Sequence, residues 1–206
     1  MRPTPPHLSD DPVASATAWE PLARGGTSFK TRSLMTVGPE RLEFPATWGM
    51  RIFAAVFAAM GLVVIAVGIG VSEEAGVGTT LAIFAFGVVF TAIAIGVWRS
   101  GTAPVVFDRK QGAFWRGRTP PAGAGAGAAH ADYTPLADIR ALQIIEERLS
   151  AKGGSFRSYE LNLVLRDARR VNVLDHGDYP ALRRDADTLG AFLGCPVWDA
   201  VAEPAD

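Results

Sequence analysis

The 206-residue chain has a single cysteine, Cys195, which excludes an internal disulfide. Its three histidines, His7, His130 and His176, leave little material for a zinc site even with that cysteine. Positive charge is not in excess: the formal net charge is −1, which argues against a general nucleic-acid binder. No apolar run opens the chain. The first begins near residue 52, too deep for a cleavable signal peptide. No Gly-x-Ser-x-Gly elbow surrounds Ser150, Ser155 or Ser158, which read as loop residues. No Gly-Lys-Ser/Thr follows the glycines of the low-complexity tract TPPAGAGAGAAHA (119–131), so a phosphate loop is excluded as well. No catalytic, cofactor-binding or metal-ligating set emerges, and a chain without enzymatic activity is expected.

What is present is apolar and concentrated. Hydrophobic residues make up 49% of the chain, and two runs hold most of the excess. Residues 52–71 read IFAAVFAAMGLVVIAVGIGV and residues 79–98 read TTLAIFAFGVVFTAIAIGVW, each twenty residues without a charge. About 20 such residues cross a ~30 Å hydrocarbon core as a helix. Eleven residues of the first run are Ile, Leu, Val or Phe. At about −0.3 to −0.6 kcal/mol each they favour insertion by roughly 3–7 kcal/mol. A buried helix of a soluble protein would keep a polar stripe, and neither run has one. A transmembrane helical hairpin over 52–98 is therefore expected, with the lipid bilayer as its first partner.

The connector Ser72-Glu73-Glu74-Ala75-Gly76-Val77-Gly78 carries no Lys or Arg. Arg32, Arg41 and Arg51 precede the first run, and Arg99, Arg109, Lys110, Arg116 and Arg118 follow the second. The positive-inside rule then places both termini in the cytoplasm of a cell whose inner (plasma) membrane holds the hairpin. Trp48 and Trp98 stand at the cytoplasmic ends, where indoles suit the interface. Small residues recur at spacing four: Ala54/Ala58, Ala55/Ala59, Ala66/Gly70, Gly87/Thr91 and Ala92/Gly96. They read as packing within the hairpin, with a homodimer seam as the alternative. No ionisable residue lies within either run, which disfavours an ion path.

The remainder reads as β structure. Residues 1–27 are rich in Pro, Ser, Thr and Ala and read as a disordered tail. Residues 28–47 hold a β-hairpin about Gly38-Pro39-Glu40, and 104–116 hold a second about Arg109-Lys110-Gln111. LADIRALQIIEERL (136–149) fits a loose helical face or a strand, and a strand near 138–147 is preferred. Tyr159, Leu161, Leu163 and Leu165 alternate along a clear strand, and Asp167-Ala168-Arg169 turns the chain into Val171–Leu174. Asp178 caps a helix with Pro180 in its first turn, an apolar face of Leu182, Ala186, Leu189 and Leu193, and a stop at Gly194. Residues 196–206 read as a tail. Asp175, His176 and Asp178 are the densest polar cluster, yet they fit a strand-to-helix turn with an exposed His176 better than a site. Glu146, Glu147 and Arg148 read as a solvated run, and Cys195 as half-buried packing.

About seven strands and a closing helix, interrupted by a membrane hairpin after strand two, is the order of a pleckstrin-homology-like (PH-like) barrel. On residues 33–45 and 104–195 the chain resembles small bacterial two-helix membrane proteins with a PH-like domain, and YELNLVLRDARRVNVLDHGD (159–178) is the most family-typical tract. The resemblance implies an α+β membrane protein, its transmembrane hairpin inserted into a PH-like β-barrel or sheet over 104–195 closed by a C-terminal helix. The turn Gly38-Pro39-Glu40 lacks the basic cluster with which such domains grip inositol phosphates. The expected function is a membrane-anchored interaction or scaffold module with a protein partner at the cytoplasmic face. The alternative is a small subunit of a transport or envelope complex acting through its hairpin.

Overall fold

A computed structural model describes residues 3–22, 25, 32–121, 132–151 and 154–201. The chain divides into two compact units, Ala46–Ala103 and the two flanking segments Met1–Pro45 and Pro104–Asp206 together.

In the flanking unit, β1 (Met35–Gly38), β2 (Arg41–Phe44), β3 (Val105–Asp108), β4 (Ala113–Arg116) and β5 (Tyr133–Pro135) form one antiparallel sheet in that order. A second sheet has the order β8-β7-β6-β9, from β6 (Ile139–Ala151), β7 (Gly154–Leu165), β8 (Arg170–His176) and β9 (Val197–Asp199). β9 runs parallel to β6 and the other pairs are antiparallel. Ala168, at φ 64°, makes the tight turn between β7 and β8.

The C-terminal helix is α4 (Tyr179–Leu193), and a short helix, α1 (Pro12–Ala16), lies near the N-terminus. Asp178 caps α4 by accepting the Ala181 N–H at 3.0 Å, and Gly194 ends it in the left-handed region at φ 70°. One core joins both sheets and this helix: Leu42, Phe44, Val105, Phe107 and Phe114 meet Leu142, Ile144, Leu161, Leu163, Leu182 and Leu189. Each such side chain contributes ~1.5–3 kcal/mol by leaving water.

Three expectations need correction. The strands form two sheets sharing a core, with no closed barrel among the described residues. The chain changes sheets where β5, only three residues long, passes through a 3-10 turn at Leu136–Asp138 into β6. Residues 197–199 belong to the fold as β9, where a tail was expected; 202–206 lie outside the described residues. Residues 3–22 pack against the second sheet, where a disordered tail was expected; 23–24 and 26–31 lie outside the described residues, as do 122–131 of the low-complexity tract.

In the other unit, α2 (Trp48–Gly70) and α3 (Gly76–Gly96) are antiparallel neighbours, joined by Val71–Ala75. Both are long and apolar enough to cross a membrane, with mean hydropathy 2.8 and 2.4. Their seam takes Ala54, Gly61 and Gly68 from α2 and Gly87, Thr91 and Ala94 from α3, a repeat of seven on each helix. A Cβ at Gly61 would collide with the Thr91 hydroxyl, and one at Gly87 would lie 2.6 Å from the Ile65 side chain. Ala54, Gly87 and Thr91 thus serve packing within the hairpin. Ala55, Ala59, Ala66, Gly70, Ala92 and Gly96 point away from the seam and are exposed.

Candidate functional site on the covered face of the second sheet

Strand alternation gives each strand of the second sheet two sides. Tyr159, Leu161, Leu163 and Leu165 of β7 enter the shared core. Ser158, Glu160, Asn162 and Val164 point the other way. Register places Glu147, Ile145, Gln143 and Ala141 of β6 beside them, and Asp175, Asn172 and Arg170 of β8 on the far flank. β9 adds Trp198 opposite Gln143. An antiparallel sheet commonly leaves such a polar side wet. Here Gln143 and Asn162 are fully buried, and Ser158 and Glu160 are 2% exposed.

The cover is the N-terminal segment. Pro12 opens α1, and Asp11 caps it by accepting the Val13 and Ala14 N–H groups at 2.9 and 3.1 Å. Asp11 also binds Arg140 at 2.6 Å, tying the cap to β6. Ala14 and Trp19 pack with Ala141, Val164 and Trp198, and the two indoles lie 6.2 Å apart. Beyond Trp19 the contacts are polar and reach the main chain of the segment. The Leu22 N–H donates to both Glu160 carboxylate oxygens at 2.9 Å. Gln143 Nε2 donates to the Ala18 carbonyl at 3.1 Å, and Arg170 donates to the Glu20 carbonyl at 2.6 Å. Asn162 donates to Glu160, and Arg170 reaches Gln143 Oε1 at 3.3 Å, so the polar side chains also brace one another.

Asp175 stands directly opposite Glu160 across β7 and β8. Burial raises its pKa from 3.8 to about 6, and the Glu160 charge adds to the rise, against the hydrogen bond from Asn172 and the charge of Arg116. Arg116 comes from the first sheet and donates to the Asn172 carbonyl and, at 3.2 Å, to its Oδ1. Burial lowers the pKa of both Arg116 and Arg170 below the usual arginine value. Chemically, the face offers acceptors at Glu160 and donors at Gln143 and Arg170 to a main chain laid across it.

The cluster Asp175, His176 and Asp178 is taken apart. Asp175 joins this face, whereas the fully buried His176 points to the opposite side of β8, paired with Tyr159 across the strands. His176 is therefore not exposed, as the turn reading had it. Its Nδ1 accepts the Asp178 N–H at 2.9 Å, which requires a neutral ring nitrogen there, while the Asp178 carboxylate caps α4. Glu146, expected in a solvated run, is 9% exposed and holds Arg148 and Arg157 at 3.2 and 3.4 Å. Ser150 and Ser155 are cross-strand partners on β6 and β7 and Ser158 is buried on β7; none of the three is a loop residue. Cys195 is half-buried after α4, and burial pushes its thiol up to about 11. Among the described residues, no group of three or more His, Cys, Asp or Glu is placed to hold a metal.

Sequence reasoning missed the covered face because its two halves are far apart in the chain. The usable signals were Asp11 before Pro12, which caps a helix inside the supposed tail, and Trp19, a large aromatic in a polar context. Comparison with protein-family models, with curated proteins and with solved structures finds no match, so the reading of this face rests on its own geometry.

Proposed function

We propose that the chain is a membrane-anchored interaction module: α2 and α3 hold it in the bilayer, and the flanking unit, nine-stranded among its described residues, presents a surface to a protein partner at the cytoplasmic face. The observation that carries this reading is the bare apolar surface of the hairpin. Only 17% and 11% of the two most apolar stretches are buried, and Ile52, Phe53, Leu62, Val63, Leu81 and Phe86 are all more than half exposed. Apolar surface costs ~25 cal/mol per Å² in water, and lipid removes that cost. The core helix of a soluble protein would be largely covered.

The orientation belongs to the same proposal. Within about 20 residues of the two apolar runs, Arg32, Arg41 and Arg51 precede the hairpin and Arg99, Arg109, Lys110, Arg116 and Arg118 follow it, while the connector holds no Lys or Arg, which favours a cytoplasmic position for both ends. The antiparallel runs β1–β4 and β6–β8, followed by α4, support a PH-like ancestry for this unit. Neither helix carries an ionisable residue between Ile52 and Gly70 or between Gly76 and Gly96, which favours an anchor over a transport path.

The test is crosslinking and affinity purification of the tagged full chain from native membranes, beside a chain reduced to its hairpin. Partner capture that needs the nine-stranded unit is expected. Capture of the same partner by the hairpin alone would overturn the reading in favour of a subunit that acts through its helices.

A further inference from the structure

Resting on the interaction-module reading, we propose that the covered face of the second sheet is a groove for an extended peptide. Residues 11–22 are its occupant in cis, with α1 at one end and the extended stretch Thr17–Leu22 laid over the polar side chains. Its occupant in trans is a segment of a partner protein with the same chemistry: a tryptophan anchor flanked by two carbonyls, with a free N–H three residues later. Three observations carry this. First, the face is polar yet buried, with Gln143, Glu160 and Asn162 at most 2% exposed. A face shaped only for packing would be apolar there, and one shaped only for solvent would be open. Second, the sheet's side chains address the segment's main chain. Glu160 takes the Leu22 N–H, Gln143 takes the Ala18 carbonyl and Arg170 the Glu20 carbonyl; past α1, the side chain that is gripped is Trp19, against Trp198, while Asp11 and Ala14 are held at the α1 end. Main-chain contacts give affinity to any extended segment, and a single pocketed aromatic supplies selectivity. The polar end of the segment makes no strand pairing with the sheet, so it can leave without breaking a ladder.

Third, the fit in cis is incomplete. Asn162 Oδ1 and Ser158 Oγ are buried on this face with no hydrogen-bond partner among the described residues. A buried acceptor left unsatisfied weakens the state that contains it. A partner segment that brings a donor to Asn162 would therefore displace residues 11–22.

The probe is a fluorescein-labelled peptide of residues 8–22, titrated against the full-length protein in lipid nanodiscs and read by fluorescence anisotropy. The wild-type chain, with its groove occupied, is expected to bind weakly. Leu22→Pro removes the N–H that Glu160 takes, and should bind the peptide at least tenfold more tightly and raise hydrogen exchange over residues 13–20. Adding Glu160→Gln should reduce that binding again, and a Trp19→Ala peptide should not bind. A chain lacking residues 2–22 is the second variant, and should bind as Leu22→Pro does. Equal binding by wild type and variants, or no binding once the segment is released, overturns the groove. Unfolding of both variants overturns it too, because residues 11–22 would then be a fixed part of the core. None of these outcomes touches the anchored-module reading, which stands or falls on partner capture from native membranes.

Discussion

Phe44 on β2 and Val105 on β3 are direct cross-strand partners in the shared core, although the whole unit 46–103 separates them in the chain. The hairpin therefore leaves and re-enters the nine-stranded unit at two neighbouring points. Replacing 46–103 by a short Gly-Ser linker should leave that unit folded and soluble without detergent, with one cooperative melting transition. Failure to fold once the chain is closed in this way would show that the unit depends on its hairpin. Deleting residues 33–45 instead should destroy it, because β3 would lose its β2 partner and expose an unpaired edge.

The helix α4 carries a sharper test. Leu189 is fully buried in the core and Asp187 is exposed, holding Arg183 at 3.1 Å one turn away. Leu189→Ala should cost about 2–5 kcal/mol of the roughly 5–15 kcal/mol available to such a unit, and its melting temperature should fall steeply. Asp187→Ala should cost no more than about 0.5 kcal/mol. His176→Ala should also destabilise, because the buried ring holds the first turn of α4 through the Asp178 N–H.

Asp175 sets a pH dependence. Its carboxyl is raised from 3.8 to about 6 in the folded state, first by burial and then by Glu160. Between those values the native state binds more protons than the unfolded one, so stability falls as pH rises from about 4 to about 6 and then levels off. Asp175→Asn should remove this slope and stabilise the chain at pH 7 by about 1 kcal/mol, after allowance for partial solvent screening. Chemical denaturation from pH 4 to pH 7 reads both effects. A slope of opposite sign in the wild type would show that the Asn172 and Arg116 contacts dominate.

The seam of the hairpin separates two glycines of similar context. Gly61→Ala drives a Cβ into the Thr91 hydroxyl and to 2.9 Å from its backbone nitrogen, so the helices must part, at a cost of about 1–3 kcal/mol. At Gly70 the same change meets nothing within 4 Å. Titration with a denaturing detergent, followed by energy transfer between the helices, should show early separation for Gly61→Ala alone.

Sidedness is testable in intact cells on a background without Cys195. A cysteine placed at Ala75, in the connector, should react with an impermeant maleimide, whereas one at Pro120 should not. The reverse pattern would invert the orientation. In the chain with Cys195 retained, the thiol should resist alkylation near neutral pH, since burial holds its pKa near 11.

The features legible in the sequence share one physical trait: each is set by neighbours in the chain. The helices α2 and α3 follow from unbroken apolar runs, the first two hairpins from turn residues between alternating strands, and α4 from Asp178, Pro180 and Gly194. The core side of β7 follows from Tyr159, Leu161, Leu163 and Leu165, which alternation alone aligns. Long-range contact decided the rest. Alternation puts Asp175 and His176 on opposite sides of β8, but only tertiary packing buries both. Likewise Glu160 and Asn162 read as the polar side of a strand, and with Gln143 they become a covered site because Leu22 and Trp19 arrive from more than a hundred residues away. Local pattern fixes which way a side chain points; what it meets there depends on where a distant segment finds the hydrogen-bond partners that compensate its desolvation.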